Sequence, residues 1–147
     1  MTFLNKRGYF GIGVFEPKNK INIGTLWRSA QNFGAGFIFT IGKRYEKQPS
    51  DTLKTERHIP LYNYKDWQDF LDHIPKGCEL ICVEQIDKAT DIKNISHPER
   101  AVYLLGAEDY GLPSELIKNK HTIFINTPMS LNVSVAGSIV IYDRIIK

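Results

Sequence analysis

Strands alternating with helices along this chain predict an α/β protein, a mostly parallel sheet flanked by helices. Two observations carry that expectation. Short runs rich in aliphatic and aromatic residues, at 8–15, 36–41, 79–83, 101–105 and 122–125, have strand length and end at turns, while the stretches between several of them place apolar residues at helical spacing. The run at 101–105 is apolar throughout, the pattern of a strand covered on both faces. At 147 residues, a single domain over 1–147 is expected.

Taken in order, Gly8 through Phe15 reads as a first strand, interrupted by glycines where another backbone approaches closely. Gly11 and Gly13 do not make a dinucleotide fingerprint, because no third glycine follows at the right offset and no helix begins there. After a turn at 16–20, Asn22 is expected to cap a helix carrying Ile23, Leu26, Trp27, Ala30 and Phe33, stopped by Gly34. Residues 43–60 are polar and basic, and a connection of that length is uncommon in a compact domain unless it has a function. Leu61 and Tyr62 begin a short strand, and Asn63 or Asp66 caps a helix through Trp67, Phe70, Leu71 and Ile74. A polar connection at 84–98 precedes the apolar strand, a glycine turn at 106–111 follows it, and Pro113 opens a helix.

Periodicity leaves the last segment open. Leu131, Val133 and Val135 alternate with Asn132 and Ser134 as in a half-buried strand, yet Val135, Ile139 and Tyr142, with Ala136 and Val140 beside them, fall on one helical face behind Ser130 or Asn132 as a cap. Gly137 inside a helix would cost about 1 kcal/mol relative to alanine.

Composition narrows the function classes. Cys78 and Cys82 lie four strand residues, about 13 Å, apart, beyond the roughly 7 Å reach of a disulfide. Reduced core thiols are therefore expected, and two thiols without paired histidines make a poor zinc site. The first residues lack a signal-peptide core, and no run approaches about 18 apolar residues, so a cytoplasmic location is expected. Residues 1–58 hold ten Lys and Arg against four acids, whereas the remainder holds nine against twelve. A basic half suits a phosphate backbone, with a plain solvated surface as the alternative, since charges adjacent in sequence need not share a face.

Three stretches share one resemblance. Asn22-Ile23-Gly24-Thr25-Leu26-Trp27-Arg28 places an arginine six positions after an asparagine, ahead of a small-residue turn into a strand. Leu104-Leu105-Gly106-Ala107-Glu108-Asp109-Tyr110-Gly111-Leu112-Pro113 runs from an apolar strand into a glycine turn, and Ser130-Leu131-Asn132-Val133-Ser134-Val135-Ala136 follows Pro128-Met129. Together they resemble the three ordered signatures of the SpoU/TrmH branch of the SPOUT RNA methyltransferases. One departure is visible: Met129 abuts Ser130, where the family commonly has several intervening residues, so the loop at the donor pocket is expected to be shorter.

The resemblance implies a SPOUT fold whose C-terminal segment is helical and threads a deep trefoil knot. It also implies a homodimer with active sites drawn from both subunits. S-adenosylmethionine would be the cofactor, its methyl passing to a ribose 2′-hydroxyl of RNA, with tRNA favoured by the short chain and rRNA as the alternative. A non-catalytic RNA-binding relative is the competing reading, and a base methyltransferase of the wider class is disfavoured by the ribose-type signatures. By the same resemblance Arg28 is catalytic and Asn22, Glu108, Ser130 and Asn132 orient it and the substrate. Val83, Leu105, Gly106, Thr127 and Leu131 would hold the donor, and Lys43, Arg44, Lys47 and Arg57 would engage RNA. No metal is required.

Overall fold

The computed structural model describes residues 8–42, 58–107 and 110–147. Seven strands, β1 (Tyr9–Phe15), β2 (Phe37–Ile41), β3 (Leu61–Tyr64), β4 (Glu79–Val83), β5 (Thr90–Asp91), β6 (Arg100–Gly106) and β7 (His121–Phe124), form one sheet in the order β3-β2-β1-β6-β4-β7-β5. Every pairing between these strands is parallel. Among the described residues four α-helices accompany them: α1 (Lys20–Asn32), α2 (Trp67–Asp72), α3 (Ser114–Ile117) and α4 (Val133–Ile146). The α/β expectation holds. None of the described helices is long and apolar enough to cross a membrane.

Central strands β1 and β6 are buried along nearly their whole length, which is what a parallel sheet covered on both faces requires. On one face Phe10, Ile12, Val14 and Tyr103 pack with Leu26 and Trp27 of α1 and Val140 and Ile141 of α4. On the other, Phe37, Phe39, Val102 and Leu104 pack with Phe70 of α2 and Ile117 of α3. The glycines of β1 make room for rings: a Cβ on Gly11 would lie 2.2 Å from Phe37, and one on Gly13 2.4 Å from Phe39. At these two glycines the close approach expected of a backbone is made mainly by aromatic rings, with backbone contributing only the Phe39 carbonyl oxygen beside Gly13.

The C-terminal segment is a helix, as the resemblance implied and its period alone did not decide. Asn132 caps it, its side-chain oxygen accepting from the amides of Ser134 at 2.8 Å and Val135 at 3.3 Å. Gly137 is where α4 meets α1, because a Cβ there would stand 2.4 Å from Leu26 Cδ1. Ser138 donates to the Ser134 carbonyl at 2.7 Å, so its oxygen, 2.8 Å from Ser29 Oγ, accepts from the Ser29 hydroxyl.

Two local expectations need correction. The first helix begins at Lys20 rather than after Asn22, and its cap is Asn19, whose side chain accepts from the amides of Ile21 and Asn22. The connection at 84–98 contains the two-residue strand β5 and a 3-10 turn at Ile92–Asn94, too short to leave a periodic signal. Asp66, one of the two proposed caps, does cap α2 through the Asp69 amide at 2.8 Å. Both cysteines are free thiols, and burial pushes Cys82 up to about 12.

Candidate active site

The carboxyl ends of β4, β6 and β7 open onto a cleft of about 280 Å³, near the lower end of the roughly 300–1,000 Å³ typical of small-molecule sites. A cleft outside the carboxyl ends of parallel strands is where such sheets bind ligands. Its wall is assembled from three segments distant in sequence: Val83, Glu84 and Gln85 after β4; Leu105, Gly106, Ala107, Tyr110 and Gly111 after β6; and Phe124 through Ala136 in part, leading from β7 into α4.

Each segment is locally determined. Beyond β6 the chain turns back on itself, with the Gly111 amide donating to the Ala107 carbonyl at 2.9 Å. Gly111 has φ of 63°, a region that favours glycine, and a Cβ on Gly106 would lie 2.2 Å from the Gly111 carbonyl carbon. The turn closes only without those side chains. Glu84 fastens it from below: Oε2 accepts from the Leu112 amide at 2.7 Å and Oε1 from the Gln85 amide at 3.0 Å. On the third segment, the Thr127 hydroxyl donates to the Met129 carbonyl at 2.8 Å, tightening the short passage from β7 to the Asn132 cap.

All five residues expected to hold the donor, Val83, Leu105, Gly106, Thr127 and Leu131, line this cleft, and so does Ser130. Their surroundings fit S-adenosylmethionine. Val83, Leu105, Leu131, Val133 and Ala136 present apolar surface for a flat base, and a glycine turn exposes backbone for a ligand's polar groups. Glu84 adds a carboxylate to the wall, suited to a cationic donor or a ribose diol.

The remaining site residues divide. Asn132 borders the cleft through its neighbours, with its carbonyl oxygen engaged in the α4 cap. Asn22 and Arg28 lie on α1 and are not among the cleft-lining residues; Arg28 is exposed and Asn22 half-buried. Ile21, Thr25 and Arg28, spaced four and three residues apart, share one exposed face of that helix. Glu108, Lys43, Arg44, Lys47 and Arg57 lie outside the described residues. Sequence reasoning passed over Glu84, which it treated as the start of a polar connection. An acidic residue directly after an apolar strand end was the only available signal.

Comparison with known proteins agrees with this arrangement. A mouse protein named tRNA (guanosine(18)-2′-O)-methyltransferase TARBP1 is 28% identical over 136 residues, 83% of this chain, which spans only 8% of that relative's length. A Lactococcus lactis protein, provisionally named a tRNA (cytidine(34)-2′-O)-methyltransferase, is 25% identical over 148 residues, 91% of this chain and 86% of the relative. Among solved structures, the SpoU methyltransferase AviRb from Streptomyces viridochromogenes in complex with the cofactor AdoMet superposes with a TM-score of 0.80 at 19% identity, over 97% of this chain and 61% of AviRb. The pattern of the SpoU rRNA Methylase family matches residues 10–142, from the first strand through nearly all of α4. A match that takes in all three cleft-forming segments places the chain plainly: it belongs to the SpoU rRNA Methylase family.

Proposed function

We propose that this chain is a single-domain, S-adenosylmethionine-dependent RNA methyltransferase that acts in the cytoplasm on a ribose 2′-hydroxyl, with tRNA as its substrate. The observation that carries the reading is the cleft itself, where all five expected donor residues converge on a glycine turn that tolerates no Cβ. The two relatives named for tRNA ribose methylation support the choice of substrate.

The sulfonium of the donor supplies an already activated methyl group, so the protein's task is to align the hydroxyl with it, an effect that can be worth roughly 7 to 11 kcal/mol. Arg28 is assigned to hold the neighbouring phosphate and to stabilise the alkoxide that develops as the hydroxyl passes its proton to solvent water, the methyl leaving the donor sulfur as a neutral thioether. A guanidinium, which keeps its proton in proteins, is a poor base but a good anion ligand. Asn22, Glu108, Ser130 and Asn132 orient that arginine and the substrate, while Lys43, Arg44, Lys47 and Arg57 contact RNA. The C-terminal segment is assigned to the trefoil knot.

Because Arg28 does not line the cleft of its own chain, the site is completed by a second copy. Val135, Ile139, Tyr142 and Ile146 form an exposed apolar stripe along α4, and Ile21 of α1 is 59% exposed on the face that carries Arg28. Such a stripe on a helix otherwise packed in the core suits burial against a partner. Mapping 2′-O-methyl positions in total RNA from cells with and without the gene tests the reading. One ribose position in tRNA should lose its methyl; an unchanged RNA map would reject it.

A further inference from the structure

Tyr110 stands out among the cleft residues because it lines the opening yet is 80% exposed. Its ring is met by Lys18 from the connection between β1 and α1, whose Nζ lies 4.1 Å from the ring centroid. The residues that follow Tyr110 are anchored, Gly111 to the Ala107 carbonyl and Leu112 to Glu84, so the backbone directly after the ring is braced. An aromatic so placed has a large apolar face directed at solvent beside the reaction cleft.

We propose that Tyr110 is the stacking platform for the unpaired base of the target nucleotide, with Lys18 as the contact for a flanking phosphate. The assignment rests on the RNA methyl-transfer reading above. A ribose that reaches a cleft in a protein brings along a base removed from its stack, and an aromatic face restores part of the lost stacking. Two features favour the nucleotide over the methyl donor as the partner of this ring. A ring serving an enclosed donor would be covered by the cleft, whereas Tyr110 is open. Despite its carboxylate the donor is a net cation, which an adjacent lysine repels, while a nucleotide brings a phosphate that a lysine attracts.

The test uses the full-length chain and bulk tRNA from cells lacking the enzyme. Affinity for tRNA is read by fluorescence anisotropy at saturating S-adenosylmethionine, and donor affinity separately by calorimetry. Tyr110→Ala should weaken tRNA binding roughly 5- to 150-fold, the range for loss of one stacked base, with donor affinity unchanged. Tyr110→Phe, which keeps the π-face, should recover most of that loss. Lys18→Gln should lower the salt slope of tRNA binding by roughly 0.7 to 0.9, the value for one phosphate. Unchanged tRNA affinity in Tyr110→Ala, or a loss of donor affinity that accounts for the defect, would overturn the assignment. Methyl transfer by the unsubstituted chain, measured in parallel, reports on the enzymatic reading independently of the binding result.

Discussion

On the proposed reading Arg28 acts on the substrate and Glu84 on the fold of the cleft, and their substitution separates the two. Arg28 is exposed on α1, so Arg28→Ala should cost no more than a few tenths of a kcal/mol in stability. Single-turnover methyl transfer should nevertheless fall at least 100-fold, about 2.7 kcal/mol of transition-state stabilisation, with donor affinity intact. Arg28→Lys should recover little, because lysine lacks the planar fork that spans two oxygens. Glu84 works through backbone. Replacing it with alanine leaves the amide of the buried Leu112 without its acceptor, a loss of about 1 to 3 kcal/mol in denaturant unfolding. Donor affinity measured by calorimetry should fall with it as the glycine turn loosens. Glu84→Gln keeps one oxygen for Leu112 and should retain most of both. The residues that the resemblance assigned to the donor come together around one cleft, whose glycine turn is fixed by steric demands that only certain residues meet. Glu84 escaped notice because its partner amide is 28 residues away, a contact that neither spacing nor composition reveals.

At the scale of elements, α4 is held at both ends. Its amino end is capped by Asn132 at the cleft, and its carboxyl end is locked into a buried polar cluster on β6 and the preceding segment. Arg144, fully buried, donates to the carbonyls of Pro98 at 2.6 Å and Glu99 at 2.9 Å and to the Tyr103 hydroxyl at 3.1 Å. His97 lies 2.7 Å from that same hydroxyl and 2.7 Å from Asp143, and Lys147 bridges Asp143 and the carbonyl of Ile92. With Asp143 accepting from Nε2 of a neutral imidazole, Nδ1 is unprotonated and the Tyr103 hydroxyl, which accepts from Arg144, donates to it. Protonating His97 would remove that acceptor and add a cation beside Arg144 and Lys147.

Burial accordingly holds the imidazole of His97 below its usual 6.5, against the opposing pull of Asp143. In that case the unfolded chain takes up the proton first as pH falls, so this contribution is complete above pH 6.5 and declines below it. Denaturant unfolding across pH 5 to 8 should show the decline, with a slope of up to about 1.4 kcal/mol per pH unit. In His97→Gln that segment of the profile should be flat. None of this cluster was legible from the chain, because it joins residues about 45 positions apart. The helical period of α4 was equally obscured, since its first residues alternate and its glycine packs against Leu26 rather than terminating the helix.

For the whole molecule, the proposal that Arg28 serves the cleft of a second copy makes subunit composition its test. Light scattering should report twice 16.9 kDa. Ile139→Glu, on the exposed stripe, should yield a monomer that still binds donor and no longer transfers methyl. Co-expressed Arg28→Ala and Gly106→Ala chains, each inactive alone, should regain roughly a quarter of normal activity, because half the dimers are mixed and each mixed dimer holds one intact site of two. The fold at this scale was the most legible feature of the sequence. Five of the seven strands announced themselves as apolar runs and a sixth as Leu61-Tyr62, whereas the basic segment expected to grip RNA lies largely outside the described residues.

The most direct measurement combines the purified chain, S-adenosylmethionine labelled in its methyl group, and tRNA from cells lacking the enzyme, followed by digestion to nucleosides. The label is expected in a single 2′-O-methylnucleoside. Label in a methylated base, or none transferred by a chain that binds the donor, would contradict the account.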